Sequence, residues 1–112
     1  MSKEEQTKKL IERIKRTQDE TIKLDAIDQL GEIGKRAKES VSLLIQLIKD
    51  SSESFKIRTK AIWSLGEIGS GTAVQPLIDL LQSDNNKYIR ILSLESLGKI
   101  SKRPEIGRTR RK

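Results

Sequence analysis

The chain contains no histidine and no cysteine in 112 residues, and these two absences remove much catalytic and metal chemistry at once. Without imidazole there is no side chain that ordinarily titrates near neutrality, and no histidine metal ligand. With thiolates missing as well, the usual zinc sites have no donors. The lack of cysteine also excludes a disulfide framework and fits a reducing compartment. One Trp, one Tyr and one Phe leave the core to aliphatic side chains. Proline is confined to Pro76 and Pro104, so little interrupts helix formation. No apolar run approaches the roughly 20 residues of a membrane span. The charged opening, Met1 to Lys9, is not followed by a signal-type apolar segment. No strand pattern is present, so no glycine-rich phosphate loop can follow one. The expectation is a cytoplasmic protein with no enzyme activity, no cofactor, no metal and no membrane association.

Charge is abundant but uneven. The net charge is +7, of which +5 falls in residues 101–112 and only +2 in the rest. Glu12 with Arg16, and Glu32 with Arg36, read as i, i+4 pairs on helix surfaces. The acidic residues are thus expected to lie on solvated faces, not in a catalytic pair.

What the sequence does contain is a repeat. Leu30-Gly31-Glu32-Ile33-Gly34 recurs as Leu65-Gly66-Glu67-Ile68-Gly69, and in altered form as Leu97-Gly98-Lys99-Ile100-Ser101. The central glycines are 35 and 32 residues apart, within the range of helical-repeat arrays. The match extends upstream, through Ile22, Ile57 and Ile89, then Ala26, Ala61 and Ser93, then Ile27, Ile62 and Leu94. Those offsets form one apolar stripe at helical period. A glycine inside a helix costs about 1 kcal/mol against alanine, so three aligned copies point to close helix packing. Gly34 and Gly69 stand where a C-terminal cap belongs. A second helix follows the first two copies: Val41, Leu44, Ile45 and Leu47 align with Val74, Leu77, Ile78 and Leu80.

The helices are expected over 3–16, from Thr17 or Asp19 to about 33, and over 37–50, 55–68, 72–82 and 86–101. Ser54, Thr72 and either Asp84 or Asn85 are the predicted caps for the last three, with Thr72 to Gln75 as a capping box and Pro76 in the first turn. Arg58 and Arg90 after the first isoleucine, Ala61-Ile62, Leu65-Gly66-Glu67-Ile68-Gly69 and Ala73-Val74 with Pro76-Leu77 together resemble the HEAT-like repeat first described in phycobilin lyases. The resemblance covers roughly residues 8 to 101, and the second unit matches best. It implies an all-α fold, a short right-handed α-solenoid of antiparallel helix pairs with about six helices. The domain would span 1–102, with a half repeat at 3–16, repeats at 20–50 and 54–83 and a terminal helix at 86–101. Residues 103–112 read as a flexible basic tail. Lyase activity is not implied by the repeat. Hydroxylases of similar build use His-Glu pairs for iron, which this chain cannot supply.

The motif specifies a helix-pair solenoid and says almost nothing of function; the favoured reading is a non-catalytic adaptor that binds another protein, and four features are candidates for the contact. Phe55 and Trp63 stand where sister copies carry Glu20 and Lys87, or Asp28 and Glu95, which predicts an exposed aromatic patch around Thr59 unless loop 51–54 covers it. On the second helices, Ser42, Gln46, Lys49, Gln75 and Asp79 align with Lys8, Glu12, Lys15 and Gln82 as a mixed polar row. The last helix carries a wide apolar arc, Ile89, Ile91, Leu92, Leu94, Leu97 and Ile100, with Leu92 replacing Asp25 and Lys60. Self-association, a partner helix, or Ile106 folding back with the tail are the alternatives for that edge. Finally, Lys102, Arg103, Arg108, Arg110, Arg111 and Lys112 make a basic arm for phosphates or an acidic protein, and a nucleic-acid-associated role is the second functional reading. A plain solubilising terminus is the third outcome for the arm.

Overall fold

The computed structural model describes residues 1–102. Six α-helices follow one another: α1 (Lys3–Arg16), α2 (Glu20–Ile33), α3 (Val41–Lys49), α4 (Phe55–Ile68), α5 (Val74–Ser83) and α6 (Lys87–Ser101). Each start has a local cause. Ser2 and Glu5 form a capping box on α1, with reciprocal bonds of 3.0 and 2.9 Å. Asp19 accepts from the N–H groups of Thr21 and Ile22, and Ser54 accepts from that of Ile57. The α4 end is closed by Gly69 at φ 75°, ψ 23°, a left-handed conformation that a side chain would disfavour.

Three predicted starts differ. The helix expected from residue 37 begins as a 3₁₀ segment, Gly34–Ser40, and becomes α-helical only at Val41. Ala37 departs from helical geometry there, and the Ser40 hydroxyl donates to the Ala37 carbonyl. Thr72 is not a cap: it lies in a short 3₁₀ turn, Gly71–Ala73, whose preceding residue Ser70 accepts from the Thr72 N–H. At α6 the cap is Asn86, whose side chain accepts from Tyr88 and Ile89, because Asp84 is committed elsewhere. The Glu32–Arg36 pair is also replaced. Once α2 ends at Ile33, Arg36 no longer sits one turn above Glu32. It bridges instead to Glu4 of α1 at 3.0 and 3.1 Å, while Glu12–Arg16 forms as expected at 3.3 Å.

Helices α2, α4 and α6 pack side by side as one layer, and α1, α3 and α5 form the other. The slab is 16 Å thick, about the depth of two layers of helices spaced 8–10 Å apart. The tightest contacts between layers join each second-layer helix to the first-layer helix that follows it, α1 to α2, α3 to α4 and α5 to α6. Packing pairs are therefore out of phase with the sequence units, because a 3₁₀ elbow separates α2 from α3 and α4 from α5.

The core is aliphatic and continuous, with Ile27, Leu30, Leu44, Ile48, Ile57, Ile62, Leu65, Leu77, Ile89 and Ile100 fully enclosed. Ile22 departs from the stripe it belongs to in sequence. It is 43% exposed where its counterparts Ile57 and Ile89 are at 1% and 0%, since no complete helix pair precedes α2. It borders a shallow cleft with Lys9, Arg13 and Thr17.

Candidate functional site

The junctions between first-layer helices share a construction. At α2–α4, the Ser64 hydroxyl donates to the Ile27 carbonyl at 2.7 Å. At α4–α6, Ser96 does the same to the Ile62 carbonyl at 2.7 Å. In both, the accepting carbonyl lies four residues before the repeat glycine, and the glycine is what admits the hydroxyl. A Cβ at Gly66 would come within 2.7 Å of the Ser96 Oγ, and one at Gly31 within 2.8 Å of the Ser64 Oγ. The sequence reading anticipated the small residues but not the serine two places before the next glycine. Its signal was the Ser-Leu-Gly triplet at 64–66 and 96–98.

Charges flank each junction. Lys60 of α4 pairs with Asp28 of α2 at 3.0 Å, and Lys99 of α6 pairs with Glu67 of α4. Between these two lysines lies Trp63. Their ammonium groups stand 5.0 and 5.9 Å from the indole centroid, within cation–π range. The indole fills the space over Gly31, where a Cβ would lie 2.3 Å from Trp63 Cζ3. Trp63 is accordingly half-buried, and the expected pair of exposed aromatics reduces to Phe55, which is 48% exposed. Replacing Gly31 by leucine is expected to displace the indole into water. A red-shifted emission maximum and fuller acrylamide quenching would show it; an unchanged spectrum would mean the ring is not held by this notch.

Tyr88 is a further exposed aromatic, at 65%, that the sequence reading passed over. It stands ten residues before Gly98 where the sister copies carry Thr21 and Lys56, so the comparison that singled out Phe55 applies to it equally. Phe55 and Tyr88 lie in the first turns of α4 and α6, at the same end of the layer.

The polar row is placed as expected. Ser42, Gln46 and Lys49 on α3, and Gln75 and Asp79 on α5, are all exposed, with Gln75 donating to Asp79 at 3.0 Å. The row is mixed in sign and shows no basic stripe.

Leu92 requires a correction. It is not on the outer edge but half-buried and packed against the core. Its position matches Lys60, and Trp63 stands on α4 where Asp28 stands on α2, so both members of the first junction's lysine–carboxylate pair are replaced at the second. The outer edge of α6 is formed by Ile91 and Leu94, 43% and 58% exposed, with Leu97 and Gly98. Leu94, Leu97 and Gly98 line a cleft of about 410 Å³ together with Val74 and Ile78. The contrast with the internal copies is sharp: Ile27 and Ile62, the counterparts of Leu94, are both at 0%.

Lys102 is exposed at the end of the described chain. Arg103, Arg108, Arg110, Arg111 and Lys112 lie outside the described residues, as does Ile106. Among the described residues no group of three or more acidic side chains could hold a metal ion, and no helix is long and apolar enough to cross a membrane.

A search among curated proteins found no match. The family model for HEAT repeats matches residues 7–98, the span that contains both glycine junctions. The match covers most of the chain, and the chain belongs to the HEAT-repeat family.

Proposed function

We propose that this chain is a non-catalytic adaptor that binds another protein. HEAT repeats are commonly protein-interaction modules, and one observation supports that reading above the others: the outer edge of α6. A fully buried position in two repeats is 58% exposed in the third, beside an aliphatic cleft. Among the described residues nothing covers this face, and an apolar edge of this kind marks an interaction surface. The opposite edge, on α2, exposes Ile22 together with Asp25 and Glu32, with Gln29 donating to Asp25.

The test is photo-cross-linking in cells, with a benzophenone amino acid at position 94 and, separately, at positions 55 and 46. A discrete protein adduct at position 94 is the expected result. No protein adduct at any of the three positions would overturn the adaptor reading. The basic residues from Lys102 to Lys112 support the second reading, a nucleic-acid-associated protein. Fluorescence anisotropy with single- and double-stranded oligonucleotides, comparing the full chain with one ending at Ser101, separates the two. Binding that falls steeply with salt and disappears on truncation would favour the nucleic-acid role.

A further inference from the structure

The internal junctions state what kind of helix this fold accepts. The receiving helix offers a glycine, a carbonyl four residues before it, and at α2 an acid three residues before it. The arriving helix offers a serine over the glycine and, at α4, a lysine four residues before that serine. At the first junction these are Gly31, Ile27 and Asp28, met by Ser64 and Lys60. At the second, Gly66 and Ile62 are met by Ser96, and Trp63 and Leu92 occupy the positions of the acid and the lysine.

Helix α6 carries the receiving half a third time. Gly98 is the glycine, and a Cβ built there would meet nothing within 4 Å. Leu94 supplies the carbonyl position, and Glu95 stands where Asp28 does. Glu95 is exposed and makes no ion pair among the described residues. Val74 borders the open cleft, while its counterpart Val41, covered by the next repeat, is only 5% exposed.

We propose that the outer face of α6 seats one helix of a partner protein, a helix carrying a serine over Gly98 and a lysine one turn before it that pairs with Glu95. The proposal rests on the adaptor reading and names the class of partner. Two other occupants fit less well. A second copy arriving through α2 would bring Gln29 to the serine position and Asp25 to the lysine position, setting Asp25 against Glu95. The segment 103–112 has a single aliphatic residue, Ile106, too little to fill an aliphatic cleft.

The protein contains a ready probe, since α4 is itself a helix of the required kind. A stapled, fluorescein-labelled peptide with the sequence of residues 54–69 should bind the full chain saturably, at micromolar concentrations on the usual affinity scale. A Cβ at Gly98 meets no neighbour, so Gly98→Leu should occupy the notch and weaken binding by about tenfold or more. Glu95→Lys should weaken it too, and a peptide with Lys60→Glu should restore it. Circular dichroism on each variant confirms that the chain remains folded. No saturation up to about 1 mM peptide, or binding indifferent to Gly98→Leu, overturns the proposal. So does self-association of the full chain that Leu94→Glu abolishes while the peptide does not bind, which gives the face to a second copy. Peptide binding seen only after truncation at Ser101 also overturns it, in favour of the chain's own C-terminal residues. Protein cross-links at position 94 with no peptide binding would leave the adaptor reading standing and remove only this choice of partner.

Discussion

Replacing Arg58 by alanine is expected to destabilise the chain by about 3–5 kcal/mol, the usual cost of leaving a buried charge without its partner. The arginine is 10% exposed and its partner Asp84 is 12% exposed, joined at 2.7 Å. The same guanidinium donates twice to the Ile48 carbonyl, at 3.2 and 2.8 Å. That carbonyl belongs to the last turn of α3, where no intrahelical N–H can reach it. Arg58 therefore ends one helix, starts from another, and ties both to the loop before α6. Removing it strands a carboxylate and a carbonyl together. A domain of about this size has only 5–15 kcal/mol of total stability, so the thermal midpoint followed at 222 nm should fall by tens of degrees. Arg58→Lys should lie between, since an ammonium keeps the charge but not the fork. A fall of only a few degrees in the alanine variant would show that solvent, and not the clasp, satisfies these groups.

The same clasp predicts an acid limb. Burial pushes the Asp84 carboxyl up, but the Asn86 N–H, 2.9 Å away, and the Arg58 guanidinium outweigh it, and the net pKa lies below the ordinary carboxylate value. A carboxylate with a depressed native pKa contributes stability at pH values above its unfolded pKa, and that contribution disappears as pH falls through the native value. The wild-type chain should thus lose stability below about pH 4, and Arg58→Ala should flatten that limb while lowering the whole curve. An acid limb of unchanged steepness in the variant would assign it to other carboxylates. Glu4, held down chiefly by its bond from Arg36, and Asp50, held down by Ser52, are the groups that would remain.

The second large effect is a pair of substitutions with opposite signs at equivalent positions. Gly66→Ala is expected to destabilise, and Gly98→Ala to stabilise. Both are mid-helix glycines, and in an isolated helix each alanine would gain about 0.5–1 kcal/mol. At Gly66 the new Cβ would lie 2.7 Å from the Ser96 Oγ and 3.1 Å from its Cα, so backbone must move. Overpacking of that kind costs about 1–3 kcal/mol, and the Ser96–Ile62 hydrogen bond is lost with it. At Gly98 there is nothing to strike, and only the helix gain remains. Thermal melts of the two single variants check the contrast. Two stabilised proteins would show that the α4–α6 junction relaxes at little cost. Two destabilised proteins would show that the α6 edge is already covered.

The sequence by itself determined the number of helices, the bounds of α1 and α4 to the residue, the buried stripe and the presence of glycine at each junction. These are consequences of local chemistry: a period of 3.6, an N-cap oxygen, a glycine free to adopt positive φ. Tertiary structure decided which side of each helix meets what. Asn86 caps α6 because Arg58 claims Asp84, and that follows from three elements converging. Arg36 meets Glu4 because the 3₁₀ segment Gly34–Ser40 packs against α1. Trp63 reads as exposed from its sister residues, yet the notch at Gly31 on another helix takes the ring in. Leu92 reads as an edge residue, yet it packs against the core. For Asp84, Arg36 and Trp63 the deciding group is about 26 to 32 residues away, where neither periodicity nor propensity reaches. The open face of α6 belongs to both levels. Its residues are plain in the sequence, but only the two filled junctions beside it show that it is the receiving half of an interface.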